Sequence, residues 1–243
     1  MAGIIHIKET DSTNNYLKQL ASEQKPDEGF VVWADFQSAG KGQRGNSWES
    51  EAGENLLFST ILYPGMVKAG EQFILSQAIS LAVAGCLQTY TDGISIKWPN
   101  DIYWREKKIC GILLENTLID DSIGQSVAGI GININQAEFK SNAPNPVSLA
   151  QITGIKYNLE HILDNVLSNI SLYYDAIKAG KSDEVVKHYK GSLFRREGYH
   201  LYNDGQTDFL ARIKDIEPSG ILVLETKDNA ERHFAFKEVK YVL

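Results

Sequence analysis

Only two cysteines, Cys86 and Cys110, occur in this chain of 243 residues, and their separation fits neither a metal-binding spacing nor a disulfide framework. Both stand in apolar surroundings and read as buried free thiols of a reducing compartment. The five histidines (His6, His161, His188, His200 and His233) are scattered, which offers no support for a histidine metal cage. Positive charge is in deficit: 24 Lys and Arg against 31 Asp and Glu give a net charge of −7. Broad nucleic-acid binding needs a basic face, so that function class is disfavoured, although a local basic site remains open. The N-terminal residues show no basic segment followed by an apolar core, and the apolar stretch at residues 73–84 is broken by Ser76, Gln77 and Ser80. Secretion and membrane insertion are therefore not expected, and a cytoplasmic location is. With 43% hydrophobic and 23% charged residues, the composition is that of a folded domain with room for a small appendage.

What is present begins with glycine. The segment "AGKGQRGNSW", residues 39–48, spells G-x-G-x-x-G through Gly40, Gly42 and Gly45, and it comes after the apolar run "GFVVWADF". A dinucleotide fingerprint must open a helix directly. Here the chain continues into "ESEAGENLLFSTILYPG", a β-rich run, and the helix "EQFILSQAISLAVAGCLQTY" comes much later. The dinucleotide reading fails. Two readings stay open: a flexible basic surface loop, or backbone N–H groups aimed at another anion with Lys41 and Arg44 beside them. Trp48 either closes over an apolar ligand or belongs to the core.

Three further segments concentrate unusual residues. "DSTN" places Asp11, Ser12, Thr13 and Asn14 at the start of a helix, where capping is the simplest role. "KWPNDIYW" sets a proline turn and the Asn100–Asp101 pair between two short strands, so that Asp101 caps the turn, accepts from Asn100 or helps position Mg²⁺. "KKICGILLE" carries Lys108 three residues before Gly111 at a strand entrance, where a lysine is solvated unless it faces a pocket. Helical spacing continues over "NLEHILDNVLSNISLYYDAIKAG", with Asn158 as N-cap and Gly180 as stop. From about Arg196, five short strands separated by turns read as a small β unit.

In this order, "DSTN", "FQSAGKGQRGNSW", "KWPNDIYW", "KKICGILLE" and "GIGININ" resemble the biotin–protein ligases over about residues 5–135. The resemblance implies an α+β fold: a mixed-sheet catalytic domain over residues 1–193 and an SH3-like β-barrel over 194–243. It implies activation of biotin by Mg·ATP to biotinyl-5′-AMP, then transfer to a lysine of a biotin carboxyl carrier protein, without a tightly bound cofactor. Biotin contacts then fall to Ser12, Thr13, Asn14, Gln37, Gly40, Lys41, Gly42, Gln43, Trp48, Lys108 and Gly111. ATP contacts fall to Lys41, Gln43, Arg44, Asn100, Lys108 and Asn133, and the catalytic charge to Lys108, Lys41, Arg44 and Asp101. Which residues hold Mg²⁺ is not implied. The family's loop commonly carries arginine where Lys41, Gln43 and Asn46 stand, so Arg44 is expected to take over part of that charge. No helix-turn-helix precedes the first strand, which implies a ligase that binds neither DNA nor membrane, with self-association as a homodimer left open. The rivals are a lipoate or octanoyl ligase of the same fold, a non-catalytic biotin-binding module, and a nucleotide-binding adaptor.

Overall fold

The computed structural model describes residues 3–42, 47–140 and 145–242. Strand β1 (Ile4–Thr10) leads through helix α1 (Thr13–Glu23) to β2 (Val31–Gln37), which lies parallel to β1. All later pairings in this sheet are antiparallel: β3 (Leu56–Leu62), β4 (Ile94–Lys97), β5 (Asp101–Trp104), β6 (Lys107–Ile119) and β7 (Ser122–Ile132) complete the order β1-β2-β3-β7-β6-β5-β4. The expected mixed sheet is thus present.

Strand side chains alternate between faces, and the two core clusters obey that alternation. Leu56, Phe58 and Leu62 of β3 pack toward α2 (Phe73–Gln88) and α4 (Leu159–Lys178), together with Ile130 and Ile132 of β7. Ile61 of β3 instead joins Val32, Val127 and the α1 residue Leu17 on the opposite face. Helix α2 is apolar almost all round because it is buried between the sheet, α4 and α5 (Ser182–Gly191). By length and composition the segment Ala69–Gln88 could cross a membrane, but here it is a core helix. A short helix α3 (Leu149–Thr153), capped by Ser148 and Gln151, links the sheet to α4.

Leu17 is fully buried in the small cluster on the α1 face. Leu17→Ala is expected to cost about 2–5 kcal/mol, read as a lowered midpoint in urea unfolding. On the other face, Glu28 ties the loop after α1 to α4, accepting from Tyr174 OH at 2.7 Å and Tyr63 N at 3.0 Å. Burial pushes its carboxyl up, but those bonds and Lys178 outweigh burial and hold it below the ordinary 4.5. A carboxyl lowered by folding stabilises the fold above its ordinary value and loses that contribution as pH falls through the folded one. Glu28→Gln should therefore flatten the decline in stability below pH 4.5, measured by denaturant titration at stepped pH.

The C-terminal strands β8 (His200–Asn203), β9 (Asp208–Ile216), β10 (Leu222–Thr226), β11 (Glu231–Phe234) and β12 (Lys240–Tyr241) form one antiparallel sheet in the order β11-β10-β9-β8-β12. This fits the SH3-like expectation, although β11 and β12 are its two edges and do not pair to close a barrel. Tyr202, Leu222, Leu224 and Tyr241 belong to the same core cluster as α2 and α4. The linker is docked as well, with Ile96 N bonded to Ser192 O and Phe194 N to Ile96 O.

Candidate active site

Beyond the reach of α1, its face of the sheet is open, and a cleft of about 1000 Å³ lies there. Its floor is made of glycine. A Cβ on Gly111 would come 2.7 Å from the Trp48 ring, and one on Gly131 would come 2.6 Å from it. A Cβ on Gly129 would overlap the Asn14 amide oxygen. Glycine inside a strand marks a close approach, and these three let an indole and an amide lie directly on the sheet backbone.

Lys108 reaches the cleft because β6 is irregular. Tyr103 pairs with Lys108 but Ile102 pairs with Cys110, so Ile109 is an extra residue opposite β5. In a regular strand, residues three apart face opposite sides; the bulge turns Lys108 to the side of Gly111. The Lys108 Cε carbon lies 3.5 Å from where a Gly111 Cβ would be. The backbone is held there by bonds from Lys108 N to Asn145 O and from Val147 N to Lys108 O. Its ammonium pairs with Asp101 at 2.7 Å and lies 5.6 Å from the centre of the Trp48 ring. Asp101 itself comes after the turn containing the cis Trp98–Pro99 bond. That turn is clamped from behind: Trp98 Nε1 donates to Gly220 O, Tyr189 OH to Pro99 O, and Asn100 Nδ2 to Ile112 O.

At the other end of the cleft the "DSTN" residues do something other than cap. Ser12 occupies the N-cap position of α1 without a side-chain capping bond. Instead Gln37 Oε1 accepts from both Thr13 N and Thr13 Oγ1, at 2.8 and 3.0 Å. Ser59 lies within hydrogen-bond distance of Thr13 Oγ1 (2.7 Å) and Asn14 Oδ1 (2.6 Å). Asn14 Nδ2 donates to Glu115, and Lys18 donates to the other oxygen of the same carboxylate. Asn133, just after β7, gives its Nδ2 to Val147 O, while its buried Oδ1 has no hydrogen-bond partner among the described residues.

The cleft therefore brings together Ser12, Thr13, Asn14, Gln37, Lys41, Gly42, Trp48, Asn100, Asp101, Lys108, Gly111 and Asn133. Gly40 is not on the lining: it sits under Trp48, where a Cβ would meet the Trp48 carbonyl oxygen at 2.9 Å. The loop is closed at its base by a bridge between Lys41 and Ser47, and Lys41 Nζ donates to Asn15. Gln43 and Arg44 lie outside the described residues.

Several lining residues are not among those expected from the sequence. Lys97, whose ammonium sits against the rings of Tyr103 and Tyr241, enters the cleft from β4. Burial holds its pKa below the ordinary lysine value; Asp101 opposes this, while Lys108 and Arg195 add to it. Its signal is in plain view at the head of "KWPND". Ser59, fully buried behind the lining against Thr13 and Asn14, is also missing from those expectations and is signalled by a polar residue inside the apolar run "LLFSTIL". Lys237, in the turn before β12, and Lys240 and Tyr241 of β12 carry no local signal. Among the described residues no three His, Cys, Asp or Glu side chains group to hold a metal, and the acidic side chains on the lining are Glu49 and Asp101.

The chain belongs to the Biotin/lipoate A/B protein ligase family, whose profile matches residues 6–134. It is 34% identical over 163 residues to the bifunctional ligase/repressor BirA of Bacillus subtilis, covering 64% of this chain and 49% of that one. It is 25% identical over 225 residues to the biotin–[acetyl-CoA-carboxylase] ligase of Mycobacterium tuberculosis, covering 90% and 82%. The chain thus spans about half the length of the BirA relatives it matches. Among solved structures, the Aquifex aeolicus biotin protein ligase in complex with biotin and ATP superposes with a TM-score of 0.81, at 27% identity over the full length of both chains.

Proposed function

We propose that this protein activates biotin with ATP and transfers it to a lysine of a biotin carboxyl carrier protein. The observation that carries the reading is Lys108, turned by a β-bulge into a cleft between a polar amide–hydroxyl cluster and the Asn133 Oδ1, which has no partner among the described residues. In the first step a biotin carboxylate oxygen bonds to the α-phosphorus of ATP, and the bond to pyrophosphate breaks. Both reactants are anions, so a fixed cation between them lowers the barrier where charge is shared. In the second step the neutral ε-amine of the carrier lysine attacks the acyl carbon, AMP leaves, and the amine loses a proton to solvent.

Residue roles match the chemistry of each end. Thr13, Asn14 and Gln37 suit the cyclic urea head of biotin, and Trp48 over Gly111 suits its apolar tail. The Asn133 Oδ1 acceptor suits the amine of adenine. Lys41 and Asn100 line the same cleft as Lys108 and are assigned here to the phosphate and carboxylate, and Arg44 to the loop by resemblance. Mg²⁺ then arrives with the nucleotide phosphates, as is usual for this ion. On this reading residues 1–193 carry catalysis, and residues 194–243 complete the cleft through Lys237, Lys240 and Tyr241. Two buried free thiols support a cytoplasmic setting, and the net charge of −7 supports a partner other than DNA. For self-association the structure offers the stretch of β6 beyond Gly111, which β5 leaves unpaired; sedimentation at rising concentration tests it.

The deciding assay supplies biotin, Mg·nucleotide and a carrier domain. Biotin transfer with ATP and little with GTP is expected. Transfer of lipoate instead, or biotin binding with no adenylate formed, would overturn the reading.

A further inference from the structure

The amide of Asn14 is held on both sides, and the two sides are not equivalent. Glu115, in β6, takes a hydrogen bond from Asn14 Nδ2 at 2.8 Å, while its second oxygen takes one from Lys18 at 2.6 Å. Burial pushes the Glu115 carboxyl up, but Lys18 and Asn14 outweigh it and keep it below the ordinary value. An ionised carboxylate only accepts hydrogen bonds. The Asn14 NH₂ must therefore face Glu115, which turns Oδ1 toward Ser59 and the cleft. Gly129 permits this placement, since any Cβ there would overlap Oδ1.

The order of donors then propagates. Thr13 Oγ1 gives its proton to Gln37 Oε1, so Ser59 has one proton for two acceptors, Thr13 Oγ1 and Asn14 Oδ1. At least one acceptor lone pair is therefore left over at this end of the cleft. The Gln37 Nε2 group, whose oxygen is already engaged twice by Thr13, is left to donate. A spare acceptor beside a spare donor matches a ligand that offers an N–H and a C=O side by side. Were Asn14 turned over, its NH₂ would face Ser59 and the spare acceptor would be lost.

We infer that Glu115, held by Lys18, is a positioning residue that sets the direction of the Asn14 amide and thereby the affinity for the ligand's cyclic urea. Glu115 touches no reacting atom and acts through Asn14. The inference rests on the biotin reading of the site.

The test is a double-mutant cycle on the full chain, with KM for biotin, KM for ATP and kcat of adenylate formation measured separately. Glu115→Ala is expected to raise the biotin KM at least about tenfold, while kcat and the ATP KM stay within about threefold. In an Asn14→Ala background the same change should add nothing further, because the residue it acts through is gone. Lys18→Met, at a half-exposed position on α1, should shift biotin KM in the same direction by less and covers the case that Glu115→Ala does not fold. A biotin KM within twofold of wild type in the folded Glu115 or Lys18 variant overturns the inference. So does an effect that multiplies with that of Asn14→Ala. A wild-type protein that binds no biotin would instead overturn the function itself.

Discussion

Lys108→Ala is expected to lower the rate of adenylate formation by about 10²- to 10³-fold while changing biotin affinity by less than about tenfold. The asymmetry comes from geometry. Lys108 is paired with Asp101 at 2.7 Å before any reaction, so binding substrate anions exchanges one carboxylate for others. Its gain is largest when the attacking carboxylate and the α-phosphate share charge, which occurs only in the transition state. Removing the lysine also takes from Asp101 its ion-pair partner, leaving a carboxylate in the cleft that repels both reactants. Single-turnover formation of biotinyl-5′-AMP, with biotin affinity measured by calorimetry, separates the two effects. Equal losses in rate and affinity would make Lys108 a binding residue.

Gly129→Ala should be nearly as damaging, through a single methyl group. A Cβ at that position overlaps the Asn14 amide oxygen, so Asn14 must leave its bonds to Ser59 and Glu115 or α1 must shift. Displacements of about 1 Å at a positioned group cost roughly a hundredfold in rate or affinity. Biotin affinity is therefore expected to fall by about 10²-fold, with overpacking costing about 1–3 kcal/mol of stability. Gly85→Ala is the matched control. It lies in α2, where a Cβ would meet only Asn169 Oδ1 at 3.6 Å, and helical alanine is favoured over glycine. Calorimetric titration of both variants with biotin decides the point, since only the first should lose affinity.

Much of this arrangement is legible in local sequence, for reasons that differ by residue. Strand and helix order come from periodicity, and a dinucleotide loop is excluded by the residues after Gly45, because β3 rather than a helix is next in chain order. Lys108 and Gly111 are legible as a pair, but their shared face is not: their spacing contradicts strand alternation until the bulge at Ile109 is seen. The "DSTN" residues read as a cap because capping is local. The partners that draw Thr13 and Asn14 away, Gln37, Ser59 and Glu115, lie on three different strands. Lys237, Lys240 and Tyr241 have no signal of this kind, because nothing near them in sequence is catalytic. Only the docking of the C-terminal sheet, with Trp98 Nε1 bonded to Gly220 O at 2.9 Å, brings them to the cleft.

That docking has a temporal side. The cleft is lined by residues from Ser12 to Tyr241, so a growing polypeptide holds no segment that contains the whole site. At the usual pace of about 5–20 residues per second, on the order of ten seconds or more separates synthesis of its first and last lining residues. Until then Trp98 lacks the Gly220 carbonyl and the Phe236 ring against which it packs. A ligand met during translation finds only part of the cleft and cannot template the rest.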